Sequence, residues 1–324
     1  MRRREFLSLV GGTAAAWPLA THAQRVMPVI GFLRSDPLPP TSPLVAAFRE
    51  GLKETGFVEG QNVAIELRSA DNHPDRLPAL VADLLRRPVS VIVANTSAAL
   101  AAKTATQTVP IVFTLTNDPV GDGLVASFNR PGGNVTGVAF FSGALGTKRL
   151  ELLRQLAPKS TTIGVLMNLE LAVIAADRRE VQAAAQALGQ HVIMIDVASE
   201  RDVEPAFTTL VQRGAGALLV GGGPFMFSNR ERLVALATRH ALPASYPLRE
   251  YAVAGGLMSY GNSITDAYRQ AGIYAGRILK GEKPADMPVM QSSKFELVIN
   301  LRTAKALNLE LNPQLLSVAD ELIE

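Results

Sequence analysis

The stretch Val91–Ala102, "VIVANTSAALAA", joins a run of apolar residues to a helix-forming run of small residues. The apolar run extends back to Val89 and has the length and β-branched content of a buried strand. Asn95, Thr96 and Ser97 stand at the junction, where the strand ends and the helix begins. Similar strand-to-helix units recur along the chain, and this recurrence indicates the fold class.

Short apolar runs alternate with amphipathic helical patterns in two successive blocks. The first block contains the predicted strands "MPVIGFL", "NVAIELRSA", "VSVIVA" and "PIVFTL", and the second contains "TTIGVLM", "HVIMIDV", "GALLVGG" and "PASYP". A βαβα order predicts a parallel sheet with helices on both faces. We therefore predict an α/β protein with two doubly wound, Rossmann-like lobes.

The C-terminal part of the chain is too short to form a third domain. It contains the helical pattern "ITDAYRQAGIYAGRILK", the strand "KFELVINL" and one further helix. The simplest account is that it completes the first two domains, so that the chain crosses between them several times and forms a hinge. We predict that 27–140 and 262–288 form lobe 1, and that 141–261 and 289–324 form lobe 2.

Residues 1–23 have the pattern of an export signal. A charged start, "MRRRE", precedes the apolar run "FLSLVGGTAAAWPLA", and "THA" supplies the small residues that a signal peptidase accepts. "RREFL" resembles the twin-arginine signature, which favours the Tat route over the Sec route. An uncleaved membrane anchor is the alternative, but the run is short and is broken by Gly and Pro. We expect the mature protein to be free in the periplasm, with no membrane span.

Composition and motifs exclude several classes of function. The 324 residues carry a net charge of +3, and the segment Arg2–Glu5 contributes +2 of it, so no electrostatic footprint for nucleic acid remains. Cys is absent, which excludes thiol nucleophiles and thiolate metal sites. The sequence has no GxSxG motif or phosphate loop, and its 4 His residues lack metal-ligand spacing. We expect no catalytic residues, no metal and no cofactor.

Ligands of parallel α/β sheets bind beyond the carboxyl ends of the strands, next to helix N-termini. Phe32, Leu33 and Arg34 end the first predicted strand, and similar positions end the others. The predicted ligand-binding residues are Phe32, Leu33, Asn95, Thr96, Ser97, Asn117, Asp118, Phe141, Asn168, Gly222, Pro224, Phe225, Tyr246, Arg249 and Tyr260.

Most of these residues allow two interpretations. Thr96 and Ser97 suit an ordinary helix cap, or they bind a carboxylate with the free amides of the helix N-terminus. Asp118 precedes a proline and is either a turn residue or an acceptor for an ammonium group. The glycine-rich segment around Gly222 either forms a turn or lets the backbone approach a ligand. Each aromatic or charged residue of the set either lines the cleft and contacts the ligand, or has only a structural role in the core or at the surface.

Long motifs in this chain resemble those of a known family. Among them are "VPIVFTLTNDPVGDGLVASFNRPGGNVTGV", "ALPASYPLREYAVAGGLMSYG" and "DAYRQAGIYAGRILKGEKPADMPV". The sequence is similar to the ABC-transporter substrate-binding proteins related to the tryptophan- and tyrosine-uptake lipoproteins, over Pro28–Glu324. The resemblance implies a type I periplasmic binding fold and a ligand clamped between two lobes. It gives Thr96 and Ser97 the role of carboxylate anchor and Asp118 that of amine partner. It implies an amino acid as the ligand, with an aromatic amino acid as the leading candidate. Unlike the lipoproteins, this chain has no Cys at the cleavage site.

The leading hypothesis is therefore a periplasmic receptor, expected to be a monomer, that delivers a small molecule to an ABC permease. Two alternatives stay open at this point: a ligand-sensing protein for a membrane signalling partner, and a secreted α/β enzyme. The enzyme would need a nucleophile or acid/base set that the sequence does not supply. A repressor of this fold would need a helix-turn-helix where the signal peptide stands.

Overall fold

The computed structural model describes residues 27–37, 39, 41–115, 118–140, 145–168, 174–292 and 295–324. The predicted signal peptide and the predicted site residues Asn117 and Phe141 lie outside these ranges. Strands and helices are numbered below in chain order. The described residues form two α/β lobes, each built on its own sheet, as the alternating sequence pattern predicts.

Lobe 1 contains a six-stranded sheet in the order β11-β5-β4-β3-β1-β2, with every pair parallel. Its strands are β1 (Val29–Arg34), β2 (Ala64–Ser69), β3 (Val89–Asn95), β4 (Ile111–Leu115), β5 (Val135–Ala139) and β11 (Met290–Gln291). Its helices are α1 (Pro43–Glu54), α2 (Leu77–Leu85), α3 (Thr96–Ala105) and α10 (Ile264–Leu279). The central strands are buried throughout, as expected for a parallel sheet that is covered on both faces.

Lobe 2 contains a seven-stranded sheet in the order β13-β12-β10-β9-β8-β6-β7, in which only the β10–β12 pair is antiparallel. Its strands are β6 (Thr162–Asn168), β7 (His191–Val197), β8 (Ala217–Val220), β9 (Ala244–Tyr246), β10 (Met258–Asn262), β12 (Phe295–Asn300) and β13 (Glu321–Ile323). Its helices are α4 (Gly146–Leu156), α5 (Ile174–Ala187), α6 (Glu200–Gln212), α7 (Pro224–Ser228), α8 (Arg230–Arg239), α9 (Arg249–Val253), α11 (Leu301–Ala306) and α12 (Pro313–Ser317).

The chain passes between the lobes three times. It leaves lobe 1 after β5, returns between β10 and α10, and leaves again between β11 and β12. Met290 pairs with Val138, and therefore β11 extends the sheet of lobe 1. The third crossing thus follows residue 291, whereas the sequence-based boundary at 288–289 lies before this short strand.

Helix α10 is fixed to lobe 1 by an unusually close contact with α1. A Cβ atom added at Gly272 would lie 2.2 Å from the backbone oxygen of Phe48, and one at Gly51 would lie 1.8 Å from the backbone oxygen of Arg269. The glycines therefore allow the two helix backbones to touch. This contact carries the N-terminus of α10, with Ile264 and Tyr268, to the side of lobe 1 that faces lobe 2.

Candidate ligand-binding site

A narrow cavity lies between the two lobes, at the carboxyl ends of β1, β3 and β4. Lobe 1 supplies all five of its hydrogen-bonding side chains, which are those of Arg34, Asn95, Thr96, Thr114 and Tyr268. Only about 30 Å³ of the space can hold the centre of a water molecule. The walls therefore lie close together, and an organic ligand can enter only if the lobes separate or the side chains move.

The rest of the cavity wall is apolar. Lobe 1 adds the side chains of Phe140 and Ile264, and lobe 2 contributes Gly222, Gly223, Pro224, Phe227, Pro247 and Leu248. Among the described residues, lobe 2 thus brings no charged or hydroxyl side chain to this cavity. The two walls therefore differ in chemistry. The wall formed by lobe 1 carries the hydrogen-bonding side chains, and the side chains in the wall formed by lobe 2 are apolar.

Arg34 belongs to a buried polar network at the end of β1. Its Nε donates to Asp36 Oδ1 at 2.8 Å and its Nη2 to Asp36 Oδ2 at 2.5 Å. Asn95 Nδ2 donates to the same Asp36 Oδ1 at 2.9 Å. The guanidinium carbon lies 5.2 Å from the ring centroid of Tyr268. Arg34 and Asp36 are 3% and 1% exposed, so the ion pair is held in one geometry by its surroundings.

Asn95 connects the ends of two neighbouring strands. Its Oδ1 accepts the backbone N–H of Ser35 at 3.0 Å, and its Nδ2 also donates to Ser35 Oγ at 3.0 Å. Asn95 occupies the N-cap position of α3, but its side chain makes no capping hydrogen bond to that helix. The interpretation that Thr96 and Ser97 are caps is therefore wrong: they are the first two residues of the helix itself.

Two threonine residues, Thr96 and Thr114, bring hydroxyl groups to the cavity wall. Thr96 is 1% exposed and stands at the first position of α3, where backbone N–H groups lack partners within the helix. Thr114, at the end of β4, has a buried Oγ1 with no hydrogen-bond partner among the described residues. A buried hydroxyl without a partner is costly, and one that lines a cavity is suited to a polar ligand atom.

Comparison with known proteins identifies the family. A family model described as ABC transporter substrate binding protein matches residues 12–323. The chain belongs to the family of ABC transporter substrate-binding proteins. Members of this family are binding proteins rather than enzymes; they work outside the cytoplasm, binding a small molecule that a membrane permease takes up.

Individual relatives agree with this assignment. A tyrosine-binding protein of Clostridioides difficile (strain R20291) is 27% identical over 264 residues, spanning 81% of this chain and 76% of its own length. A Streptococcus pneumonia ABC domain in complex with L-Trp is 26% identical, with a TM-score of 0.83 over 91% of this chain and 99% of that one. A ligand-free, open substrate-binding protein of Clostridium difficile is also 26% identical, over 92% and 99% of the two chains, but its TM-score is 0.66.

Seven predicted site residues of this substrate-binding protein line the spaces between its lobes near α3 and α7. Asn95, Thr96, Gly222 and Pro224 line the main cavity. Ser97 lies beside it, in a second small space that Asn168 and Phe225 of lobe 2 also line. Asn168 Nδ2 donates to the backbone oxygen of Val197 at 2.9 Å, which fixes its side chain at the end of β6.

Three predicted residues are packed inside the lobes. Phe32 and Leu33 are completely buried on opposite faces of β1, and Phe32 contacts the ring of Tyr268 from the core side. Tyr246 is 1% exposed, stacks on Tyr251 with 4.9 Å between ring centroids, and has its pKa raised by burial. Their environments match the packing interpretation of each residue.

The remaining described residues lie away from the cavity. Asp118 is exposed, and its Oδ1 accepts the backbone N–H of Val120 at 3.0 Å, as a turn residue does. Its role as an ammonium acceptor stays a prediction. Arg249 forms a bidentate pair with Glu321 in a separate open groove, and Tyr260 stacks on Phe295.

The sequence patterns gave less guidance to the other residues of the cavity wall. The sequence places Arg34 at a strand end and Tyr268 on the apolar face of a helix, but neither pattern marks a ligand contact. Phe227 suits an apolar site and core packing equally, and no motif marks Thr114 or Leu248. Within the described ranges, no group of three or more His, Asp or Glu residues is arranged to hold a metal ion. None of the described helices is both long enough and apolar enough to cross a bilayer.

Proposed function

We propose that this substrate-binding protein receives an amino acid with an aromatic or large apolar side chain, and clamps it between its lobes for an ABC importer. The single observation that carries the proposal is the two-sided cavity, with hydrogen-bonding side chains on one wall and apolar ones on the other. The relatives support it: one is named for binding tyrosine and another contains L-Trp.

The two walls define an orientation for the ligand. The polar head group faces lobe 1, where Thr96, Thr114 and the first amides of α3 offer hydrogen bonds and a favourable helix dipole to a carboxylate. The side chain of the ligand faces Pro224, Phe227 and Leu248 of lobe 2. Burial of apolar surface against lobe 2 then supplies the free energy that holds the lobes together.

Closure of the lobes is part of the proposal. Two relatives of equal identity, 26%, differ in TM-score: 0.83 for the complex with L-Trp and 0.66 for the ligand-free, open protein. This difference and the narrow cavity both support a closed arrangement of the lobes here. Ligand entry then requires a hinge motion at the three crossings, followed by closure on the bound amino acid.

The cellular setting is proposed on the same basis. We infer that the mature protein is free in the periplasm after cleavage of the predicted signal peptide, that its export uses the Tat route, and that it acts as a monomer. Its partner is the permease of an ABC importer in the inner membrane. Expression with the Arg3 and Arg4 codons changed to lysine codons tests the route, because Tat export depends on the arginine pair.

A thermal-shift panel tests the ligand. Mature protein is screened against L-tryptophan, L-tyrosine, L-phenylalanine and L-leucine, with D-allose and myo-inositol as sugar and polyol controls. A ligand that binds only the folded state raises the Tm by mass action, by an amount that grows with its concentration. A shift with one or more of the amino acids supports the proposal. A shift with the controls alone would refute the amino acid while leaving the receptor function in place.

A further inference from the structure

We propose that Arg34 binds the ligand carboxylate through Nη1, and that Asp36 is a positioning residue which makes the site select zwitterions over anions. This inference rests on the proposed function, because it concerns the same cavity. It adds the residue that determines which charge state of ligand is accepted.

The guanidinium of Arg34 has unused hydrogen-bond donors. Asp36 occupies Nε and one N–H of Nη2, which leaves three of the five guanidinium N–H groups. Nη1 makes no hydrogen bond to the described residues, although Arg34 is only 3% exposed. Because Arg34 lines the cavity, an acceptor oxygen of the ligand can pair with this donor. Closure of the lobes that left the charged donor without an acceptor would be costly.

The guanidinium of Arg34 is fixed in one orientation. The guanidinium is held on one edge by Asp36 and on one face by the ring of Tyr268, whose centroid lies 5.2 Å from Cζ. Asp36 is held in turn by Asn95, and its backbone oxygen accepts from Ser69 Oγ at 3.0 Å. A planar fork fixed in this way loses little side-chain freedom when a carboxylate binds to its open edge.

The charges at the cavity balance. Arg34 and Asp36 together are neutral, and no other Asp, Glu, Lys, Arg or His side chain of the described residues lines this cavity. A zwitterion adds no net charge to the closed site, whereas an anion adds one buried negative charge that no group balances. Burial of an unbalanced charge is expensive. The pre-paired arginine therefore favours the amino acid over the same molecule without its amino group.

The test uses three compounds of one shape: L-tryptophan, 3-(indol-3-yl)propionate and L-tryptophanamide. Their affinities for the full mature protein are measured by titration calorimetry. We expect the wild type to prefer the zwitterion over the other two by about tenfold or more. In Asp36→Asn the arginine charge is no longer balanced, so the preference for tryptophan over the propionate falls by about tenfold.

A second variant guards against misfolding. Arg34→Met combined with Asp36→Asn removes both charges together and keeps an acceptor for Asn95, so no buried charge is left unpaired. We expect its affinity for tryptophan to fall by about 100-fold. We also expect its discrimination between tryptophan and tryptophanamide to disappear. Arg34→Lys keeps the charge but not the fork, and we expect partial recovery of the discrimination.

Three outcomes decide the matter. Affinity ratios between the compounds that shift as described support the inference. If these ratios stay at the wild-type values in both variants, and all three compounds lose affinity equally, the ion pair is only structural. A wild type that binds none of the three compounds would refute the aromatic ligand of the proposed function, and the inference with it.

Discussion

The side-chain amide of Asn72 in lobe 1 donates to the hydroxyl of Ser228 in lobe 2 across 3.2 Å. Ser228 lies at the end of α7, whose first residue, Pro224, lines the ligand cavity. This hydrogen bond joins the lobes next to the cavity, and it must break when they separate. It therefore contributes to closure and not to the stability of either lobe.

Ser228→Ala should weaken ligand binding without unfolding the protein. A net hydrogen bond contributes about 0.5–1.5 kcal/mol, so we expect the Kd to rise by about 2- to 10-fold. The open form becomes more populated, and small-angle scattering should show a larger radius of gyration at subsaturating ligand than in the wild type.

Ser317→Ala is the matched control. Ser317 also ends a short helix and also donates to the carbonyl three residues before it, at 2.8 Å, against 2.9 Å for Ser228. It lies in α12 of lobe 2 and is not among the residues that line the cavity. Equal effects of the two substitutions on the Kd would mean that the bond to Asn72 does not couple the lobes.

Thr96→Ala combined with Ser97→Ala tests the carboxylate anchor. A hydrogen bond to a charged group contributes about 1.5–3 kcal/mol, so we expect at least an about tenfold loss of affinity for a carboxylate ligand. The free energy of unfolding should fall by only about 1–2 kcal/mol, because neither residue is the N-cap of α3. Thr104→Ala, on the same helix but exposed, should leave the affinity unchanged. Wild-type affinity in the double variant would exclude the anchor.

The regular parts of the fold were predictable because each carries its own periodic signal. The run that forms β3 and the small-residue helix α3 meet at Asn95, where the sequence pattern changes. The sequence does not predict helix α7, since Gly221–Gly223 and Pro224 are typical of a loop. In the structure Gly223 has φ +112° and Pro224 opens the helix, so the same residues form a sharp helix start.

The site was less predictable because strand ends do not reveal which face reaches the cleft. Phe32 and Arg34 lie on one face of β1, and Leu33 on the other. Only Arg34 lies beyond the layer of core packing, at the cavity. It pairs with Asp36, two residues further along the chain, and Asn95 of a neighbouring strand donates to Asp36. The second contact depends on two chain segments meeting in space, which no local pattern encodes.

Gly272→Ala should destabilise lobe 1. In an exposed helix this change would stabilise by about 1 kcal/mol through helix propensity. Here the added Cβ would lie 2.2 Å from the backbone oxygen of Phe48 and 2.8 Å from the backbone nitrogen of Leu52. Both contacts are with backbone, so α1 and α10 must move apart, and overpacking costs of about 1–3 kcal/mol or more outweigh the gain.

Urea unfolding measures this effect, with Gln270→Ala as the control. Gln270 lies two residues away on α10, is half-buried, and loses side-chain atoms when replaced. We expect a clear decrease in the free energy of unfolding for Gly272→Ala and a change within about 0.5 kcal/mol for Gln270→Ala. A Gly272→Ala protein as stable as the wild type would show that the helix contact is not tight in solution.

Glu250 should make stability depend on pH. Burial raises its pKa above the ordinary value of 4.5, and its Oε2 has no hydrogen-bond partner among the described residues. The folded protein therefore holds this proton more tightly than the unfolded chain does. The associated stability is fully present below pH 4.5 and is lost as the pH rises through the raised pKa.

Glu250→Gln is neutral at every pH and removes this loss. We expect the variant to gain stability relative to the wild type as the pH rises from about 4.5 towards 8, with the gain levelling off above the folded-state pKa. Urea unfolding at several pH values measures the difference. Glu231→Gln is the control, because its carboxylate lines the same groove but its side chain is 79% exposed. If Glu250→Gln and wild type lose stability in parallel across this range, the Glu250 carboxylate is solvated in solution and its proton is not linked to folding.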